Sequence, residues 1–517
     1  MRRVILASVL CLSASNVAEA STCKPGDVAG LYKGVARGSD GSGAEVTLNL
    51  LCADGEYVVQ LFTSQGDFKV TDASGSSGHV KFNFDTGASL AAADLTVAGD
   101  KLSGAYLVAG DHGLLTLTRV GPALARDAMV ARLNLTLAQW REDIEYFARE
   151  LPRRHANAFF SLSRAAFEAQ VAALKGAVGR LHSDEIFVGL QRIASAVGDG
   201  HTGLVTPLDR RPLPIEIGKF GDDFRITAAG PGLEGALGGR IVRIGDTPIV
   251  EAWARALTIT PQSELMELRE GRALIYLTRG ITLHGLGIVP VRNHAIFMLA
   301  SDTGRLFPVR LNGAGVGEKL TLHSIATGPA PLWKQNPERP FWCREVSERR
   351  ALYCAFHSYQ GLEEHAGQMF AMIEKAHPAK LIIDMRDNGG GDNTEGYKWL
   401  IKPLKARADL NVKGRLFILI GPLTFSAAMN NAAQFADETK ATLVGQTIGE
   451  KPNSYQEPRQ FRLPNSHLIV RASTLFYSFR KTGENAVRPH KEIVPSWRNF
   501  VAGRDPVLDW VLAQPVP

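Results

Sequence analysis

Several signatures of well-known biochemical classes are missing from these 517 residues. There is no long Lys/Arg block of the kind that tracks phosphates or anionic lipid, and the formal net charge of +6 is small for the length, so nucleic acid is not an expected partner. Past the N-terminus no stretch approaches the ~20 apolar residues of a membrane span, so the mature chain is expected to have none. Cys-x-x-Cys spacing and His-Glu-x-x-His are absent, and His365 follows Glu363-Glu364 without a second His at helical spacing; no metal site is expected. The run Gly389-Gly390-Gly391 has neither the Gly-Lys-Ser/Thr ending of a phosphate loop nor Gly-x-Gly-x-x-Gly spacing, and no cofactor is expected. The Gly-x-Ser-x-Gly elbow is absent too. There is no internal repeat and no low-complexity segment. With 45% hydrophobic and 21% charged residues the composition is that of ordinary globular protein, not of a disordered chain.

Cysteine is also scarce, with five in all. Residues 1–20 read as an export leader: Arg2 and Arg3, an apolar run from Val4 to Leu12, then the small-residue cleavage site Ala18-Glu19-Ala20. The protein is therefore expected in the periplasm or outside the cell, and Cys11 leaves with the leader. Cys23, Cys52, Cys343 and Cys354 remain, which in an exported chain suggests two disulfides. Proximity favours Cys23 with Cys52 and Cys343 with Cys354, although sequence alone allows three connectivities.

The patterning predicts a multidomain α/β protein. Residues 21–120 alternate, as in Glu45-Val46-Thr47-Leu48-Asn49-Leu50, and read as a small antiparallel barrel or sandwich. Residues 121–203 turn helical, with Leu133, Leu137, Trp140, Ile144, Phe147 and Leu151 at three- and four-residue intervals. Residues 204–330 return to strands. Here the string from Ala229 to Asp246 resembles the centre of a PDZ-type fold, which implies a groove for an extended peptide; an unrelated hairpin with a Gly-rich turn is the alternative. Residues 331–517 alternate strand and helix, the pattern of βαβ units around a mostly parallel sheet.

In that last region two continuous apolar runs, Leu381-Ile382-Ile383 and Leu416 to Ile420, read as strands buried on both faces. One ends in Asp387-Asn388-Gly389-Gly390-Gly391, the other in Gly421-Pro422-Leu423-Thr424-Phe425-Ser426. Reactive groups of such sheets gather at the strands' C-terminal ends. Ser426 fits a nucleophile whose developing oxyanion is met by the amides of Ala427 and Gly389 or Gly390; a helix N-cap is its plainer role. His201, in the turn Asp199-Gly200-His201-Thr202, reads by itself first as a surface group, with a catalytic role as the lesser alternative.

Three of these strings together look like the tail-specific, or C-terminal processing, serine protease family, whose relatives include the tricorn core and the interphotoreceptor retinoid-binding proteins. They are Leu381 to Gly391, the Thr424 to Ala428 element, and Val444 to Asn453. The resemblance runs from about Ser183 to the C-terminus and implies acyl transfer from a polypeptide to a serine and then to water, the polypeptide being taken at an extended or C-terminal end. Members differ in the base. In one branch it is a Lys about 25 residues past the serine, the place of Lys451; in the tricorn-like branch it is a His in an upstream turn, the place of His201, oriented by a Glu at the place of Glu484. An imidazole needs no pKa adjustment to act at neutral pH, whereas a Lys must be desolvated, and Lys451 lies in a polar string. The expected set is Ser426, His201 and Glu484, with Lys451 as the alternative base. Two departures from the pattern, Gly200 for a second serine and His490 for an Asp, bear on how the base is oriented. The same fold could carry a non-catalytic binder of a peptide or an apolar small molecule, or an esterase.

Overall fold

The computed structural model describes residues 28–516 except 40, 42, 54–55, 65–66, 77, 87–89, 109–110, 126–127, 129, 207–211, 315–319 and 481–482. The expected leader, Cys11 and Cys23 lie outside the described residues. One compact unit holds the N-terminal strands, and a second runs from Met129 onward.

In the first unit the alternation closes on itself. Eight antiparallel strands, β1 (Gly30–Gly38), β2 (Gly43–Ala53), β3 (Glu56–Thr63), β4 (Asp67–Ser76), β5 (His79–Asp85), β6 (Leu90–Ala98), β7 (Lys101–Val108) and β8 (Asp111–Gly121), form a barrel because β8 pairs back onto β1. Of the two expected forms it is the barrel. On β5 Val80, Phe82 and Phe84 are buried while His79, Lys81 and Asp85 face out, and such interiors are filled by side chains when the strands number about eight. Inside, Tyr32 donates to Val28 O at 2.8 Å and accepts from Arg119 Nη2 at 2.8 Å.

The second unit opens with three helices, α1 (Leu137–Arg154), α2 (Arg164–Ala177) and α3 (Ser183–Val197). A capping box of Thr136 and Gln139 starts α1, and Trp140, Ile144, Phe147 and Leu151 form its buried stripe. Leu137 is exposed because it stands in the first turn, off that stripe. Next comes an antiparallel sheet in the order β10 (Ile215–Phe220), β11 (Asp223–Ala229), β12 (Arg240–Ile244), β14 (His294–Ala300), β15 (Leu306–Asn312); β13 (Thr247–Pro248) pairs with β12, and β16 (His323–Ser324) with β11. Between β13 and β14 lie α4 (Ile249–Leu257), α5 (Met266–Tyr276) and α6 (Gly280–Gly285). Just ahead of this sheet, β9 (Gly203–Leu204) follows α3 directly.

The last sheet has the order β17 (Phe341–Val346), β18 (Ala351–Phe356), β19 (Lys380–Asp384), β20 (Leu416–Ile420), β21 (Thr442–Gly445), β24 (Lys491–Glu492). Only β17 and β18 run antiparallel, so the sheet is mostly parallel as expected, and every residue of β19 and β20 is buried. Cys343 and Cys354 face each other across β17 and β18 and are joined by a disulfide. The helices α7 (Leu362–Ala376) and α10 (Ala427–Glu438) cover it. Between β19 and β20 the helical segment is broken: α8 (Asn393–Gly396) passes through a π turn at Tyr397–Ile401 into α9 (Lys402–Ala406). Pro403 has no amide to donate into a regular turn, and the wider turn accommodates that. At the C-terminus α11 (Trp497–Val501) precedes α12 (Pro506–Ala513). The buried Lys380 ammonium caps α12 by donating to the carbonyls of Val511, Leu512 and Gln514.

A small sheet was not foreseen from sequence. It joins β22 (Asn453–Arg462), β23 (Ile469–Ser478) and β9, with Leu204 opposite Val470 and Gly203 opposite Arg471. It fastens the turn after α3 to the C-terminal half of the chain. Among the described residues no helix is long and apolar enough to cross a membrane.

Candidate active site

Ser426 sits where β20 turns into α10. Its backbone is at φ 55° and ψ −126°, a region that a residue with a Cβ rarely enters and that costs about 1–3 kcal/mol. The turn is held from several sides. Thr424 Oγ1 donates to Met385 O at 2.8 Å and accepts from Gly421 N at 3.1 Å, while Phe425 N donates to Asn388 O at 3.0 Å. The Ser426 hydroxyl makes no capping bond to its own helix, so the plainer N-cap role is not the one it fills. Its backbone amide donates to Glu450 Oε2.

The glycine loop after β19 lies against this turn. A Cβ on Gly390, whose φ is 106°, would stand 2.7 Å from Ser426 Cβ and 2.9 Å from Phe425 O, so only glycine allows the approach. Buried Asn388 organises the loop, donating to Phe356 O at 3.0 Å and accepting from Gly390 N at 2.9 Å. The Gly390 amide, one of three expected oxyanion donors, is thus taken up inside the loop. Gly389 borders open space, and Ala427 begins α10, where the first amides have no acceptor within the helix.

His201 is placed by its neighbour. Helix α3 ends at Gly198 with φ 122°, and the buried Asp199 carboxylate then gathers the turn. Its Oδ1 accepts from His201 N at 3.1 Å, Thr202 N at 2.8 Å and Ser473 Oγ of β23 at 2.6 Å. Its Oδ2 meets His155 Nε2 at 2.9 Å; since Asn157 N donates to His155 Nδ1, the ring proton is on Nε2. Burial pulls the Asp199 carboxyl upward, but the bonds from His155, Ser473 and Thr202 outweigh it and hold it below the ordinary range. The His201 ring stacks on Phe425 with centroids 4.5 Å apart, and Arg272 packs over the same Phe425 ring while donating to Gly200 O at 2.6 Å.

His201 Nδ1 and Glu450 Oε1 lie 3.2 Å apart. Both atoms are buried, and neither makes a well-aligned hydrogen bond elsewhere, so a small ring rotation would complete the bond between them. Glu450 therefore faces His201 through one oxygen and the Ser426 amide through the other. Glu484, the acid expected to orient His201, is 61% exposed and forks onto Arg488, with bonds of 2.7 and 2.6 Å, whereas Glu450 is fully buried. Lys451 follows Glu450 and is half-buried; its backbone amide donates to Glu264 Oε2 at 2.8 Å.

Sequence reasoning quoted Glu450 within Gly449-Glu450-Lys451 without giving it a role, because the family spacing pointed past it. Glu264, in the string Gln262-Ser263-Glu264-Leu265, carries no local signal at all.

The candidate site is thus a strained serine turn at a strand end of a mostly parallel sheet, with a glycine loop against it and a His–carboxylate couple beside it. Comparison with solved structures agrees on the fold. The chain is similar to mature CPAF complexed with lactacystin, at 11% identity and a TM-score of 0.51, over 72% of this chain and 97% of that one. It is similar to mature CPAF at 12% identity and a TM-score of 0.50, over 72% and 96% of the two chains. The photosystem II D1 C-terminal processing protease also aligns, at 13% identity and a TM-score of 0.33 over 70% and 96%, a score too low to add to the comparison. No family model matches the sequence, and no curated protein matches it.

Proposed function

We propose that the chain is an exported serine endopeptidase that cleaves polypeptides through an acyl-enzyme on Ser426. The observation that carries this reading is that one buried carboxylate, Glu450, accepts the Ser426 amide and faces His201 Nδ1. A proton on Nδ1 directed at Glu450 leaves Nε2 with a lone pair for a hydroxyl. In the proposed reaction Ser426 Oγ attacks the scissile carbonyl and its proton passes to His201 Nε2. The amides of Gly389 and Ala427 meet the oxyanion, replacing the pair that included Gly390. Collapse expels the amine, which takes the proton from His201, and water then releases the acyl group by the same steps in reverse. The strained backbone at Ser426 supports the reading, since such strain persists where the surroundings impose it and clusters at reactive sites. Export rests on the leader, and selection of an extended or C-terminal peptide end rests on the PDZ-like string.

Labelling by a fluorophosphonate probe tests the proposal. Labelling lost in Ser426→Ala and in His201→Ala supports it. No labelling of well-folded parent protein favours the non-catalytic binder. Loss in Lys451→Ala with retention in His201→Ala would move the base to Lys451, and turnover of esters without peptides would make the protein an esterase.

A further inference from the structure

We propose that Glu264 is a positioning residue of this reaction, a single buried carboxyl that ties the turn carrying the base to the turn carrying the base's carboxylate. The proposal rests on the roles of Ser426, His201 and Glu450 above. Glu264 belongs to neither turn; it lies in the segment leading into α5. Its Oε1 accepts from Gly200 N at 2.9 Å, directly before His201, and its Oε2 accepts from Lys451 N at 2.8 Å, directly after Glu450. The backbone around it follows the same course, since Ser263 N donates to Gly198 O at 3.0 Å and Leu265 N to Gly449 O at 3.2 Å. Gly449 is pressed so closely on this segment that a Cβ there would stand 2.2 Å from Leu268 N. The separation between His201 and Glu450 is therefore set by a third piece of chain, and Glu264 supplies both of its side-chain bonds.

The surroundings of this carboxyl differ from those of an ordinary structural one. No ion pair joins it to Lys, Arg or His among the described residues; the charges that act on it are the carboxylates of Glu450 and Asp199, and the guanidinium of Arg272 is bonded to Gly200 O instead. Burial first, and then the Glu450 charge, raise it to about 8. At neutral pH burial and the neighbouring carboxylate therefore favour the protonated form of Glu264. Ionising Glu264 would set a second charge against Glu450 and weaken the grip that aligns the base.

The test is the rate of fluorophosphonate labelling of the full mature chain across about pH 5 to 10, for parent, Glu264→Ala and Glu264→Gln. Glu264→Ala should label at least about tenfold more slowly, because both turns lose their shared anchor. Glu264→Gln keeps the side-chain length and one acceptor and should recover part of that loss. The parental fall in rate above pH about 8 should be absent from it, since an amide cannot ionise there. A role in folding alone would lower thermal stability without removing that fall. Labelling of Glu264→Ala at the parental rate, or an unchanged alkaline fall in Glu264→Gln, overturns the proposal; if Glu264→Ala does not fold, the Glu264→Gln profile decides. Failure of the parent to label at Ser426 overturns the underlying reading instead, and the proposal with it.

Discussion

Glu450 Oε1 stands 3.2 Å from His201 Nδ1 although 249 residues separate the two positions in the chain, and the same carboxylate holds the Ser426 amide. In the proposed mechanism Glu450 acts on nucleophile and base together, and replacing it should be felt by both. Glu450→Gln is expected to lower kcat/KM, or the labelling rate, by about 10³ to 10⁴, the range for losing the group that orients a catalytic imidazole. Glu484→Ala should leave the rate within about threefold of the parent, because that exposed carboxylate pairs only with Arg488. Comparing the two rates checks the assignment, and the reverse order of effects would restore Glu484.

Gly390→Ala should inactivate the protein while leaving most of its fold. The new methyl meets Ser426 Cβ and Phe425 O at under 3 Å, and the φ of 106° is unfavourable for alanine, so a stability loss of about 1–3 kcal/mol is expected. Thermal melting and probe labelling measured together separate the two effects. Gly389→Ala, which meets open space, should cost less stability.

The carboxyls around His201 predict opposite pH effects on folding. Glu264 is raised from 4.5 to about 8, so between these values the native state holds a proton that the unfolded chain has released. Its contribution is greatest below about pH 4.5 and is lost as pH rises towards 8, by at most a few kcal/mol. Asp199 is held below its ordinary 3.8, so its contribution is present above that value and is lost as pH falls through its lowered native one. Denaturant midpoints of parent and Glu264→Gln should therefore converge on the alkaline side, and Asp199→Asn should flatten the acid limb.

Loss of the Cys343–Cys354 disulfide should lower stability by about 2–3 kcal/mol, as expected for a loop with sequence separation 11. Labelling at Ser426 should persist at temperatures where the double Cys→Ser variant remains folded, because the bridge makes none of the bonds that hold the site, of which the one on β18 is from Asn388 to Phe356 O.

How much could be read beforehand follows from the range of the interactions. Strands β19 and β20, the helix after Ser426 and the alternation of the barrel are local patterns of hydrophobicity, legible because burial on two faces, one face or a helical stripe dictates which residues recur. Ser426 and the glycine loop were legible for the same reason, each being a short string at a strand's end. His201 was recognisable as a candidate only beside a family pattern.

The family resemblance pointed to Glu484 and assigned no role to Glu450 or Glu264. A carboxylate's function here depends on what surrounds it in space: Glu484 is exposed and met by Arg488, while Glu450 and Glu264 are buried against amides from distant segments. Local composition determined the strands of the parallel sheet, the alternation of the N-terminal strands and the place of Ser426 at a strand's end. Which acid faces the base was decided by tertiary packing, because desolvation and amide donation are properties of the folded site and not of the string that carries the residue.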